Sequence, residues 1–206
     1  LNNMRTLLIL TLLSLAFVSC TEEKLKYYGR HEVNPETADT IYHSVQPFSF
    51  INQDNEEVTE DYLKDKITIV DFFFSTCPTI CPVMTNNMVK LQKKWGVQPE
   101  VQFLSHTVDP ETDTPAKLKR YAKWKHANTS NWNFVTGDKR KIYESGVFSF
   151  MVASQEDALS EHGFLHSSLF IMVDKDLRIR GIYNGLEDQD LNKLSKDINI
   201  LLNEYR

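Results

Sequence analysis

Apolar positions along this chain of 206 residues fall into runs of two kinds, one with the pattern of strands and one with the pattern of helices. ITIVDFFF (67–74) is almost continuously apolar and rich in β-branched and aromatic side chains, which predicts a central strand buried on both faces. VQFLSHTV (101–108) and SLFIMVD (168–174) predict two more strands, and PFSFI (47–51) and WNFV (132–135) shorter ones. NQDNEE supplies a turn after PFSFI. RIRGIY (178–183) follows SLFIMVD across a Lys-Asp turn, so these two predict an antiparallel pair. Between the strands the period changes. Met84, Met88, Leu91 and Trp95 recur at helical spacing, Pro115 to His126 is helical, another helix starts near Asp138, and Leu191, Leu194, Ile198 and Leu201 mark a last amphipathic helix. Strands alternating with helices predict an α/β fold, a central sheet flanked by helices.

The N-terminal part breaks this pattern. Leu7 to Val18 is an apolar run preceded by one positive charge, Arg5, and followed by Ser19, Cys20 and a polar stretch. The run is short for a membrane span and fits the apolar region of a secretory signal. Cys20, at the cleavage point, resembles the lipobox cysteine of bacterial lipoproteins, which is lipidated and becomes the new N-terminus; Phe17 stands where that box usually has leucine. Simple secretion, with Cys20 free or lost, is the alternative. Thr21 to Ser44 is polar and without period, which predicts a tether. The expected organisation is thus a signal peptide over 1–20, a linker over 21–44 and a single domain over 45–206. The expected location is a membrane anchored through lipid, with the domain facing the periplasm and inner and outer membrane both open.

Charge and cysteine usage narrow the function. A formal net charge of -5 argues against a nucleic-acid partner, which calls for a basic face. With Cys20 assigned to export, Cys77 and Cys81 are the only cysteine pair of the domain. An oxidising compartment permits a disulfide, but one closing so short a loop removes little chain entropy, so a structural staple explains the pair poorly.

The pair stands in DFFFSTCPTICPVM (71–84), at the carboxyl end of the predicted central strand and the start of the next helix. Open α/β sheets place their ligand sites there. A spacing of four on a helix puts both sulfurs on one face, with Cα atoms about 6 Å apart, near enough for a disulfide or one shared ion. Pro78 and Pro82 suit a first helical turn, and the positive end of the helix dipole favours thiolate at Cys77. Redox exchange and binding of a soft metal both remain open. Met84 and Met88 invite a thioether-copper reading, but their spacing continues to Leu91 and Trp95 and reads better as a core stripe. Asp71 sits inside the apolar strand; a buried carboxylate has its pKa raised and could relay protons to a cysteine, or could simply be satisfied by nearby hydroxyls.

Three segments in order resemble the Sco/SenC family, thioredoxin-fold proteins of copper delivery to cytochrome c oxidase: CPTICP (77–82), VDPETDTP (108–115) and a histidine opening HSSLFIMVD (166–174). The resemblance implies a thioredoxin-like fold with a central mixed sheet, and copper, Cu(I) or Cu(II), held by Cys77, Cys81 and His166. It implies a copper-binding subunit of the oxidase as acceptor, the copper donor remaining unidentified. It also places an aspartate of VDPETDTP near the metal, with Asp109 and Asp113 as candidates, although turn and helix-cap roles explain much of that stretch. Two thiolates and an imidazole suit copper and also zinc; a structural zinc would want a fourth ligand, for which His162 is the candidate. The rival is a thiol-disulfide oxidoreductase, in which Cys77 attacks, Cys81 resolves and Asp71 assists.

Overall fold

The computed structural model describes residues 24–152 and 167–205. A small antiparallel ribbon, β1 (Glu32–Val33) with β2 (Thr40–Ile41), precedes the main fold. There follow β3 (Ser49–Asn52), β4 (Glu57–Thr59), β5 (Ile67–Phe73), α1 (Ile80–Trp95), β6 (Val101–Thr107) and α2 (Pro115–Trp124). The rest comprises β7 (Trp132–Thr136), α3 (Lys139–Glu144), a π-helical turn (Ser145–Ser149), β8 (Leu169–Val173), β9 (Ile179–Asn184) and α4 (Asp188–Glu204). No described helix is long and apolar enough to cross a membrane.

The seven main strands lie in the order β4-β3-β7-β6-β5-β8-β9. β5, β6 and β7 run parallel at the centre, and the flanking pairs are antiparallel, including the predicted β8/β9 pair. Every residue of β5 and of β6 is buried, which explains why neither segment alternates in sequence. β4 has no counterpart among the predicted elements: three residues, EVT, are too few to show a period.

The register of β5 on β6 decides what the site is built from. It pairs Asp71 with Ser105, Phe72 with His106 and Phe73 with Thr107. Because successive side chains alternate between faces, Asp71, Phe73, Ser105 and Thr107 point one way and Phe72 and His106 the other. On the first face α1 lies against α2 through a 2.8 Å hydrogen bond between Thr85 and Tyr121. At its far end the Trp95 indole donates to Ser195 of α4 at 2.9 Å. Met84 and Met88 are fully buried, as a core stripe requires.

The expected boundary at residue 45 needs correcting. Leu25 to Tyr28 of the supposed linker is packed on the domain, while Arg30 to Tyr42 is largely exposed. The Leu25 N–H donates to Glu204 (3.0 Å), the Leu25 carbonyl accepts from Arg180 (3.0 Å), and Tyr28 bridges to Ile179. Arg180 is itself buried, paired with Asp174 at 3.2 Å and Glu204 at 2.8 Å, with its guanidinium 4.4 Å from the centre of the Tyr27 ring. A latch made by one guanidinium and scattered aromatics leaves no periodic trace, so a polar, aperiodic stretch reads as tether when it is not one.

Candidate thiol and metal site

β5 ends at Phe73, and the chain reaches Ile80, the first residue of α1, through a loop of six residues that carries Cys77. Cys81 is the second residue of the helix and Pro82 the third; Pro78 and Cys77 precede it, so only one of the two sulfurs is on the helix proper. The sulfurs nonetheless interact, and both cysteines are buried and free. The Cys77 N–H donates to the Phe74 carbonyl at 3.2 Å, and the Cys77 sulfur lies 3.8 Å from the Thr79 hydroxyl.

This local geometry separates the two thiols. Burial pushes the Cys77 thiol up, but hydrogen bonds from the backbone N–H groups of Cys81 and Thr79, and from their side chains, outweigh it and leave its pKa below the ordinary value. Unpartnered N–H groups at a helix start are what stabilises the anion. Cys81 goes the other way: burial raises its pKa strongly, and negative charge on Cys77 and Asp71 adds to the effect. One sulfur is prepared as thiolate and the other holds its proton.

Asp71 lies beneath them on β5, almost wholly buried. Burial lifts its pKa to about 7, against the hydrogen bond it accepts from the Ser105 hydroxyl at 2.5 Å. Ser105 in turn accepts from the Trp132 indole at 2.9 Å. The expectation of a hydroxyl-satisfied carboxylate and that of a raised pKa therefore both hold.

Asp113 is the residue whose place the sequence conveyed least. Thr114, not Asp113, caps α2, accepting from the Lys117 N–H at 3.4 Å, with Pro115 opening the helix. Asp113 turns inward instead and is fully buried. It accepts from the Ser75 N–H (2.9 Å), the Ser75 hydroxyl and the Thr107 hydroxyl (2.7 Å), and lies 3.4 Å from the Lys117 ammonium. Ser75 is two residues before Cys77, so Asp113 ties the cysteine loop to β6 and α2. Asp109 acts through its backbone: its carbonyl accepts from Thr112 (3.2 Å) and Asp113 (2.8 Å), forming the turn that aims Asp113 inward.

His166 and His162, the expected third and fourth ligands, lie outside the described residues, as does Cys20. Among the described residues no cluster of three metal-ligating side chains forms. β8 begins three residues after His166 and pairs with β5, the strand that delivers the cysteine loop. Sequence reasoning passed over His106 entirely. Its ring stacks on Phe72 at 4.7 Å with Phe48, Phe50 and Phe150 around it, and neither ring nitrogen has a hydrogen-bond partner. Burial pushes its pKa down to about 3, opposed only by the nearby Asp71 backbone.

Known proteins are similar to this chain in sequence and fold. The SCO1 protein homolog of Bacillus subtilis is 34% identical over 161 residues, covering 78% of this chain and 83% of that protein. The structure of BsSco, a member of the Sco family of cytochrome c oxidase assembly proteins in which a disulfide switch was identified, superposes with a TM-score of 0.69 at 32% identity over 87% of this chain and 98% of that one. Arabidopsis thaliana ScoI, crystallised with copper bound, superposes with a TM-score of 0.59 at 25% identity, covering 78% of this chain and 98% of the other. The SCO1/SenC family model matches residues 36–202. That span takes in the central strand, both cysteines and the aspartate turn, and the chain belongs to the SCO1/SenC family.

Proposed function

We propose that this protein is a membrane-tethered metallochaperone that takes copper as cargo on Cys77, Cys81 and His166 and delivers it to the copper-binding subunit of a cytochrome c oxidase. The observation that carries the reading is the pair of free, touching thiols at the start of α1, one of them poised as thiolate. Soft sulfur ligands favour Cu(I), and loading must displace the proton of Cys81. Copper bound in Arabidopsis ScoI and the oxidase-assembly role of BsSco support the assignment. The apolar run ending at Cys20 supports export and a lipid anchor, with the domain in the periplasm.

A second reading is favoured by Asp71. With its pKa near 7 below a depressed Cys77 and a raised Cys81, it suits a thiol-disulfide oxidoreductase. Cys77 thiolate would attack a partner's disulfide and release one partner thiolate. Cys81, giving its proton to Asp71, would then displace the second, leaving a Cys77–Cys81 disulfide and a reduced partner.

His166 separates the two. Anaerobic titration of reduced protein is expected to show ~1 tightly bound Cu(I), and His166→Ala to weaken it 10-fold or more, the order seen when metal-site contacts are lost. Unchanged Cu(I) affinity in His166→Ala, together with disulfide-reductase turnover that Cys81→Ser abolishes, would establish the oxidoreductase instead.

A further inference from the structure

Beside the cysteine turn lies a surface for which the site itself has no use. Trp124, at the end of α2, is 65% exposed, and Val83, two residues after Cys81, is 48% exposed. Lys125 joins the two helices that carry them, next to Val83 at Pro82. Its ammonium donates to the Pro82 carbonyl (3.3 Å) and the Asn86 side chain (3.2 Å) on α1, and lies 4.5 Å from the centre of the Trp124 ring. The Lys125 side chain is buried in making this bridge, so the platform is held in place and is not a chance juxtaposition of mobile groups.

The charge on the two helices that build the platform has one sign. Neither α1 nor α2 contains an aspartate or glutamate, although the chain as a whole is acidic at -5. Lys117 and Lys119 are engaged by Asp113 and Asp54. Arg120 and Lys123, exposed on the same face of α2 as Trp124, have no ion pair among the described residues. A solvated helix face ordinarily mixes both signs and keeps tryptophan inside. Protein-binding surfaces instead combine an exposed Trp with Arg and draw their partner by opposite charge.

We propose that this face, Val83 and Trp124 framed by Arg120, Lys123 and Lys125, docks an acidic surface of the protein that exchanges copper or electrons with Cys77 and Cys81. The proposal rests on the acceptor named above, a copper-binding oxidase subunit. Trp124 supplies the desolvated anchor, and the two free cations steer the encounter. Val83 points away from Cys81 around the helix but shares its first turn, so a partner seated there stands at the end of α1 that carries the thiols.

The test uses the reduced, copper-loaded protein and the isolated apo copper domain of the oxidase subunit from the same organism, with affinity and association rate followed at several salt concentrations. Trp124→Ala is expected to weaken association on the order of 10-fold or more. Arg120→Glu with Lys123→Glu is expected to slow association and flatten its salt dependence. Cu(I) affinity and thermal midpoint, measured on the same samples, should stay at the wild-type values. If the domain binds wild type and both variants alike, the docking surface is elsewhere while the acceptor stands. If it binds none of them, wild type included, the acceptor assignment falls and this docking proposal with it.

Discussion

Replacing Asp113 by alanine is expected to destabilise the domain by about 3–5 kcal/mol and to loosen Cu(I) binding 10-fold or more, although the residue is no expected ligand. The carboxylate accepts from the Ser75 N–H and hydroxyl and the Thr107 hydroxyl, and faces the Lys117 ammonium. Alanine removes their acceptor from a place where Asp113 and Thr107 have no exposure to water, and a buried orphan costs about 1–3 kcal/mol. Ser75 then loses its anchor, and Cys77 two residues on loses the fixed loop that brings it to the backbone N–H groups of Thr79 and Cys81. Asp113→Asn keeps one acceptor oxygen and the shape, so it should fall between wild type and alanine. Urea unfolding and Cu(I) competition against a chelator measure the two effects. A conservative variant equal to wild type in both would remove Asp113 from its positioning role.

How much of this was legible beforehand depends on what kind of interaction holds each part. The central strands and the β8/β9 pair were readable because burial leaves near-continuous apolar runs, and the helix after the cysteines because burial of one face leaves a period. The cysteine pair was readable because its chemistry is rare and its spacing local. Asp113 was visible only as a residue in a turn-and-cap motif, since its partners Ser75 and Thr107 become neighbours only through the β5/β6 register. His106 was hidden for the same reason: nothing in VQFLSHTV says that the imidazole will face Phe72 and Phe50. Leu25 to Tyr28 was misread as tether because its hold on the domain runs through Arg180, more than a hundred residues away in sequence.

Placing Asp71 and His106 on opposite faces of adjacent strands also ties the chain's stability to pH in a testable way. Unfolded, Asp71 titrates near 3.8 and His106 near 6.5; folded, burial moves them to about 7 and about 3. Between about pH 4 and 6.5 the unfolded chain therefore carries a proton on His106 and none on Asp71, and the folded chain the reverse. The proton counts match, so these two groups together give almost no slope of stability with pH in that window.

Removing either one exposes the other. In Asp71→Asn only His106 remains, the unfolded state binds the extra proton, and stability should fall as pH drops from 6.5 to 4, by about 3 kcal/mol relative to wild type. In His106→Leu only Asp71 remains, the folded state binds the extra proton, and stability should instead fall as pH rises from 4 to 7, by a similar amount of about 3 kcal/mol. Urea midpoints at a series of pH values, taken as differences from wild type, cancel the other carboxylates common to all three proteins. The two difference curves should slope in opposite directions and cross. Two flat curves would mean that the carboxyl is ionised and the imidazole protonated at their ordinary pH in the folded protein, and that neither is sealed from water as its neighbours imply.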